Sequence, residues 1–371
     1  MTAVRILHLV ARSQRRGAEL VAVELARELD GLGHSNRVLA LGLGFDGSEQ
    51  AELPPLTRRS DGGVTALFLG VRALRRELAH RPADLVIAHG GRAVEAAVLV
   101  RRRGRPLIVW QRILGFPPEI WRPVPRTRWR AIVRRVDAAV ALTADLGAEL
   151  RRLDFRGPVW IIPNFRDPRP FAHIDRRAAA HALHQELGIP DGAHLVGFVG
   201  HLTSQKRPDR ALETLAAMHR QGVPAHLVVA GAGPLRGRLE HDTSARGLEP
   251  YVHLIGHRDD IPEILGAVDV FILTSDAEGL PGVLIEAQMA GCPIVTVPVG
   301  GVAELVDDGE TGIVISAIDP EELARQVVGL LRDPERRHRL GEQARSRSAR
   351  FSSSHTAATY AARLDELPGL S

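Results

Sequence analysis

Two glutamates eight positions apart, Glu278 and Glu286, bracket the segment Glu278-Gly279-Leu280-Pro281-Gly282-Val283-Leu284-Ile285-Glu286. Pro281 and Gly282 read as a helix start, and Gly291 followed by Pro293 as its end. A helix opened by small residues offers backbone N–H groups and the positive end of its dipole, where a diphosphate can dock. Glu278 stands just outside that N-terminus. Glu286 lies one turn inside it, at about 3.6 residues per turn, so both carboxylates can reach one pocket. A carboxylate beside phosphate is unfavourable unless it serves hydroxyls, and sugar hydroxyls are good donors to such an acceptor. The same residues also fit a plainer description, with Glu278 answering the helix dipole and Glu286 solvated.

A second loop, Gly200-His201-Leu202-Thr203-Ser204-Gln205-Lys206-Arg207-Pro208, carries a cation of unusual type. Among 48 basic residues, Lys206 alone is lysine. A lone compact ammonium at a helix start suits point-charge contact with phosphate, and His201 could be a second donor. Taken alone, a histidine there is as readily bonded to backbone. Gly231-Ala232-Gly233-Pro234 opens another helix, but Arg236 fills the place of the third glycine in a dinucleotide fingerprint. The first loop, Ala11 to Glu19, has only Gly17, so no such fingerprint opens the chain.

These loops need strands to hold them. Apolar runs at Arg5 to Val10, Arg37 to Leu43, Asp84 to Ala88, Pro106 to Trp110, Ala138 to Leu142 and Val159 to Ile162 alternate with helical patterns, the mark of βαβ units. The first such helix spans about Ala18 to Leu32. A proline-rich hinge, Pro163 to Pro170, separates a second set: Leu195 to Val199, Ala225 to Ala230, Val252 to Ile255, Val270 to Leu273, Ile294 to Val297 and Gly312 to Val314. Asp319-Pro320-Glu321-Glu322 is a further capped helix start. The expected fold class is α/β, two doubly wound Rossmann-like domains facing each other across a cleft, over residues 1–168 and 169–350. A helical tail, 351–371, is expected to pack back on the first domain. In such sheets ligands bind at the carboxyl ends of the strands.

With 371 residues and 44% hydrophobic content, the chain is sized for two cores. No apolar run approaches the roughly 18 to 20 residues of a membrane span, and Arg5 and His8 interrupt the first. A single cysteine, Cys292, excludes an intrachain disulfide and any multi-cysteine metal site, so a cytoplasmic setting is expected. Residues 1–170 hold 29 Arg and 17 acidic residues, while the remainder holds 19 basic and 27 acidic, so net charges of +12 and −8 sum to +4. The basic half points either to an anionic partner, at the inner face of the membrane or on a lipid-phosphate acceptor, or simply to Arg-rich solvated surface. All four tryptophans lie there, and Phe116 to Arg135 interleaves aromatics with six Arg. That mixture suits an interface with lipid, or a buried segment with a solvated Arg face. Nucleic acid is the less fitting partner.

From Gly197 to Val314 the chain resembles the donor domain of the retaining group 1 (family 4) glycosyltransferases of GT-B fold. The resemblance rests on GHLTSQKRPD, VVAGAGPL, LIGHRDDIPEIL, EGLPGVLIEAQMAGCPIV with its E-x7-E pair, and VGGVAELVDDGETG, in that order. The first half is similar to the acceptor domain more loosely, through RRGAELVAVELARELDGLGH, DLVIAHGG, VDAAVALTADLGAELR and IIPNF. The resemblance implies transfer of a sugar from a nucleotide-diphosphate donor to an acceptor hydroxyl, on a glycan, lipid-linked sugar or small molecule, with retention and without a cofactor or required metal. It implies that Lys206 and His201 contact the donor diphosphate and Glu278 the transferred sugar, with Lys206 and Glu278 acting in catalysis. The backbone of Gly279, Leu280, Pro281, Gly282 and Val283 would bind phosphate and sugar, Glu286 the ribose, Arg258 the base, and Gly17 would allow close backbone approach. Two positions depart from the family pattern: His201 replaces an arginine, and Gln111-Arg112 stand where a histidine is usual. Gln111 or Arg112 could bond a sugar hydroxyl but is a poor general base, with His89 a nearby alternative. A nucleotide-sugar 2-epimerase and a silent nucleotide-sugar or anionic-lipid binding protein are the competing readings.

Overall fold

The computed structural model describes residues 3–14, 17–44, 53–59 and 63–370. It divides into two compact units, residues 1–166 with 353–371, and residues 167–352. In the first, strands β1 (Arg5–Ser13), β2 (Ser35–Leu43), β3 (Leu85–His89), β4 (Leu107–Arg112), β5 (Ala138–Ala141) and β6 (Val159–Ile161) alternate with helices α1 (Gly17–Gly31), α2 (Val64–His80), α3 (Gly91–Val100), α4 (Pro123–Val133) and α5 (Ala144–Arg152). The sheet is parallel, in the order β2-β1-β3-β4-β5-β6. Parallel strands are covered on both faces, so they read as near-continuous apolar runs; β3 and β4 are buried along their whole length.

One face of this sheet carries a core of Leu7, Leu9, Val86, Ile108 and Trp110 with helix residues Leu74, Val94 and Val133. The other buries Ile6, Ile87 and Val109 against Val21, Leu25 and Leu29 of α1. The second core is completed by a helix from the chain's end, α14 (Ser353–Asp365), through Ala357, Tyr360 and Leu364. Its start is fixed by Ser353, whose N–H donates to the Arg166 carbonyl at 2.9 Å and whose hydroxyl donates to Glu28 at 2.8 Å.

The second unit contains β7 (His194–Val199), β8 (Ala225–Ala230), β9 (Val252–Gly256), β10 (Val270–Leu273), β11 (Ile294–Thr296) and β12 (Ile313–Val314). Around them lie α6 (Arg176–Leu187), α7 (Pro208–Arg220), α8 (Arg236–Ala245), α9 (Ile261–Ala267), α10 (Gly282–Met289), α11 (Val302–Leu305), α12 (Pro320–Arg332) and α13 (Pro334–Arg347). Asp319 caps α12 by accepting from Glu321 N–H, with Pro320 in the first turn. The parallel strand order, β12-β11-β10-β7-β8-β9, reverses direction between β7 and β10. The first sheet reverses between β1 and β3. Loops leaving the carboxyl ends of strands at such a reversal diverge to opposite faces and open a crevice. No described helix is long and apolar enough to cross a membrane.

The tryptophans of the basic half face inward. Trp110, Trp129 and Trp160 are buried, and Trp110 stacks on Trp129 with ring centroids 5.5 Å apart. Phe116 meets both, and half-buried Trp121 lies under the Arg152 guanidinium. The aromatic element therefore builds core: burying rings of this area is favourable, and the long arginine stems let flanking guanidiniums stay in solvent.

Candidate functional site

The reversal between β7 and β10 brings together the two loops that the residue types single out. β7 leads into Gly200–Arg207 and β10 into Thr274–Pro281. Asp276 N–H donates to the Gln205 carbonyl at 2.8 Å, and Gln205 Nε2 donates to the Ala277 carbonyl at 2.8 Å. The Thr274 hydroxyl reaches the Lys206 and Arg207 carbonyls at 3.1 and 2.9 Å. Arg210, buried on α7, donates to the Thr274 carbonyl and, at 2.6 Å, to the Asp276 carboxylate. Arg207, left-handed at φ 53°, pairs with Asp209 and Asp276. These guanidinium contacts lock the loops before any ligand arrives.

Within this frame Lys206 Nζ lies 2.6 Å from Glu278 Oε1, and the Ser275 hydroxyl donates to the same oxygen at 2.6 Å. Both contacts fall on Oε1, which leaves Oε2 to accept from a ligand hydroxyl. The Glu278 side chain is only 7% exposed. Desolvating two charges costs about as much as their attraction returns, so such a pair is weak evidence of a purely stabilising role. Glu278 and its neighbour are held from behind: Gly301 N–H donates to the Gly279 carbonyl at 2.7 Å. A Cβ on Gly300, at φ +54°, would fall 2.0 Å from the Glu278 carbonyl oxygen. Only glycine allows that approach.

Leu280 and Pro281 are buried, and α10 starts at Gly282 with no side chain capping its N-terminus. Gly279, Gly282, Val283 and Glu286 are half-buried along the same edge, as is His201 at the start of the neighbouring loop. Gly231 keeps that edge narrow, since a Cβ there would meet the Gly200 carbonyl oxygen at 1.9 Å. Arg258 is placed apart, in the loop after the edge strand β9, three strand spacings or about 14 Å along the sheet from β10. It is clamped by Asp260 and by Glu186 of α6.

In the first unit, Gly17 is the exposed first residue of α1 with open space around its Cα, while Arg15 and Arg16 of that loop fall outside the described residues. His89 ends β3 beside Gln111 of β4, and Gly90 N–H donates to the Gln111 carbonyl at 2.9 Å. His89 Nε2 is 3.1 Å from His8 Nδ1, and His8 Nε2 is 3.0 Å from Asn36 Oδ1. The Asn36 amide is oriented by Asp30, to which its Nδ2 donates at 3.0 Å. That fixes the proton order: His8 gives Nε2–H to Asn36 and accepts at Nδ1 from His89, whose own Nδ1 is left as a buried acceptor with no protein partner. Burial holds His8 down at about 4, and burial together with the neighbouring His8 holds His89 well below the ordinary histidine value, so the pair is neutral. Gln14 Oε1 and Gln111 Oε1 are likewise buried without protein partners at the ends of β1 and β4. Arg112 is committed elsewhere: it is 1% exposed, paired with Glu149, with its guanidinium 3.8 Å from the Phe116 ring centre. Burial pulls it down to about 10 against the opposing pull of Glu149.

The geometry thus joins Lys206, Glu278 and the α10 N-terminus in the second unit, and His89 and Gln111 in the first. Ser275, Gly300 and Arg210 also shape the site, although residue type alone did not single them out; the Gly300-Gly301 pair was the available signal. The family model for glycosyl transferases group 1 matches residues 180–347, and that for glycosyltransferase family 4 matches residues 15–169. The alpha-D-kanosaminyltransferase of Streptomyces kanamyceticus is 30% identical over 76% of this chain and 76% of its own length. The D-inositol 3-phosphate glycosyltransferase of Stackebrandtia nassauensis is 32% identical over 84% of this chain and 73% of its own. Among solved structures, Anabaena Alr3699/HepE in complex with UDP and glucose superposes with a TM-score of 0.82 at 22% identity, covering 98% of this chain and all of that one. With both halves matched by family models, and with a fold shared with such enzymes, the chain belongs to the group 1 glycosyltransferases of GT-B fold.

Proposed function

We propose that the chain transfers a sugar from a nucleoside-diphosphate sugar to an acceptor hydroxyl with retention at the anomeric carbon and without a metal. The observation that carries this reading is the Lys206–Glu278 pair at 2.6 Å beside the uncapped start of α10. The α10 N-terminus and the Gly279–Val283 backbone receive the diphosphate, and Lys206 neutralises the charge that grows on it. Glu278 Oε2 accepts from a hydroxyl of the transferred sugar, Glu286 serves the ribose, and His201 adds a donor to the phosphates. The bond from the anomeric carbon to the phosphate oxygen breaks while the acceptor oxygen bonds on the same face. The acceptor's proton passes to the departing phosphate. This division needs no protein base, which fits a first unit whose His89 binds a proton poorly, because burial holds it well below the ordinary histidine value, and whose Gln111 is not basic.

The HepE complex with UDP and glucose makes uridine diphosphate the first nucleotide to test, and the D-inositol 3-phosphate glycosyltransferase relative directs the acceptor search to polyhydroxylated rings. Nucleoside diphosphates should raise the thermal midpoint, since a ligand that binds only folded protein stabilises it. Lys206→Ala and Glu286→Ala should each weaken that nucleotide at least about tenfold by calorimetry. Unchanged affinity in both variants would refute the site. Transfer should survive chelation, and proton NMR of the first product should show the donor's anomeric configuration.

A further inference from the structure

The carboxyl end of the first sheet holds two buried acceptors side by side. His89 ends β3 and Gln111 faces it in register on β4, so the two side chains share one face of the sheet, a strand spacing or about 4.8 Å apart. Both residues are 2% exposed, and His89 Nδ1 and Gln111 Oε1 have no partner among the described residues. They lie next to the β1/β3 reversal, where an open parallel sheet receives ligands. A buried acceptor is unfavourable without a donor, so a pair of them calls for a ligand that brings hydroxyls. Phosphate oxygens, themselves acceptors, do not answer that need.

His89 Nδ1 is an acceptor only while the ring proton sits on Nε2, and that placement is fixed from the surface. Asp30, exposed in the last turn of α1, is a carboxylate that can only accept. It takes the Asn36 backbone N–H at 2.9 Å and Asn36 Nδ2 at 3.0 Å. With Nδ2 turned to Asp30, Asn36 presents Oδ1 to His8 Nε2, 3.0 Å away. His8 must therefore carry its proton on Nε2, and its Nδ1 accepts from His89 Nε2 at 3.1 Å. Burial holds both rings neutral, so each has one proton to place, and that of His89 is committed to His8. In the β1/β3 register His8 faces Ile87, two residues before His89. The bond to His8 thus points back along the sheet, and the other ring nitrogen of His89 points the opposite way. Three successive side-chain hydrogen bonds carry the polarity of a surface carboxylate to a buried ring atom.

We infer that His8, Asn36 and Asp30 are positioning residues for His89, holding its proton on Nε2 so that Nδ1, with Gln111 Oε1 beside it, accepts from a sugar hydroxyl. The tautomer stands on geometry alone, while the sugar rests on the proposed transferase reading. Both are read by long-range proton–nitrogen correlation NMR of the full chain with isotope-labelled histidine, the two rings being assigned through His8→Gln and His89→Gln. In the free protein both rings should carry their proton on Nε2. The probes are UDP-glucose, UDP-N-acetylglucosamine and GDP-mannose, each against its free nucleoside diphosphate, and inositol with and without nucleoside diphosphate. Movement of His89 Nδ1 by a sugar nucleotide assigns the hydroxyl to the transferred sugar, and movement by inositol alone among the sugars assigns it to the acceptor; either supports the proposal. Asn36→Leu removes the acceptor on His8 and should leave His89 a mixture of tautomers. It should weaken the probe that moves Nδ1 about fivefold by calorimetry, with nucleoside diphosphate affinity unchanged. Asp30→Ala, at an exposed position, frees the Asn36 amide to turn and should act in the same direction more weakly without opening the core. A His89 proton on Nδ1 in the free protein, an unaltered tautomer in Asn36→Leu, an Nδ1 resonance unmoved by every sugar probe, or one moved by nucleoside diphosphate alone would each overturn the proposal. Assigned tautomers and movement by inositol in a chain that binds no nucleotide would support it and instead sink the donor reading.

Discussion

Acidification should destabilise the first unit through His8, and the size of the effect follows from its surroundings. His8 is fully buried, with His89 at one ring nitrogen and Asn36, backed by Asp30, at the other. The unfolded chain takes up a proton at the ordinary value of 6.5, whereas the folded one resists until about 4. Between those values the unfolded state binds more protons, so stability present above pH 6.5 is lost as pH falls, and the loss levels off near pH 4. The full gap is worth about 3 kcal/mol, and the part lost between pH 6.5 and 5 is about 1.5 kcal/mol. Ordinary carboxylates scarcely titrate in that window. His226 and His253, paired at 3.0 Å in the second unit, are also held low by burial and contribute their own acid sensitivity. The informative quantity is therefore a difference. Urea unfolding of wild type and His8→Gln, followed by tryptophan fluorescence at pH 7.5, 6.5, 5.5 and 5, isolates it, since all four tryptophans are in the first unit. The variant should lose about 1.5 kcal/mol less than wild type between pH 6.5 and 5. Equal acid slopes in the two proteins would show that His8 is not held neutral by burial, and the proton order assigned to the His8–His89 pair would fall with it.

Ser275→Ala removes one of the two donors on Glu278 Oε1 while leaving Lys206 in place. It should weaken the sugar nucleotide several-fold, about 1 kcal/mol, and spare the free nucleoside diphosphate, a contrast that competition calorimetry reads directly. Arg112→Ala strips a buried guanidinium from Glu149, whose side chain is 25% exposed, and should cost about 3 kcal/mol of first-unit stability in chemical denaturation. Because Arg112 is committed to Glu149 and Phe116, the same variant should leave nucleotide affinity within about twofold of wild type.

The strands were legible because parallel sheets bury both faces and so concentrate β-branched and aliphatic residues in short unbroken runs. All twelve runs became strands, with drift at their ends: the first extends past Val10 to Ser13, and the fifth stops at Ala141 rather than Leu142. Residue type singled out two loops, through the lone Lys206 and through Glu278, that the fold brings together. Commitments made across the fold were not legible. His8 reads in sequence only as an interruption of an apolar run, and its partner is 81 positions away. Arg112 and Glu149 are 37 apart, and nothing local distinguishes a paired arginine from a solvated one in so Arg-rich a chain. The inward packing of the tryptophans depends likewise on which face of β4 and α4 meets the core, and proximity of Trp and Arg in sequence does not carry that information.

The contrast between Lys206 and its arginine neighbours gives the site its logic on the proposed reading. Arg207 and Arg210 each spend a planar fork on fixed acceptors, Asp209, Asp276 and the Thr274 carbonyl, and so make the two loops rigid. A group that must follow charge as it moves from a glycosidic bond onto a departing phosphate cannot be fixed in that way. An ammonium on a flexible stem can hold Glu278 with one N–H and turn the others toward the phosphate. Ser275 shares the load on Glu278, so the carboxylate keeps a partner when Lys206 turns. Rigid guanidiniums around one mobile ammonium satisfy two opposed requirements, a frame preorganised before binding and a cation able to respond during transfer, and the reversal between β7 and β10 is where the sheet lets both loops meet.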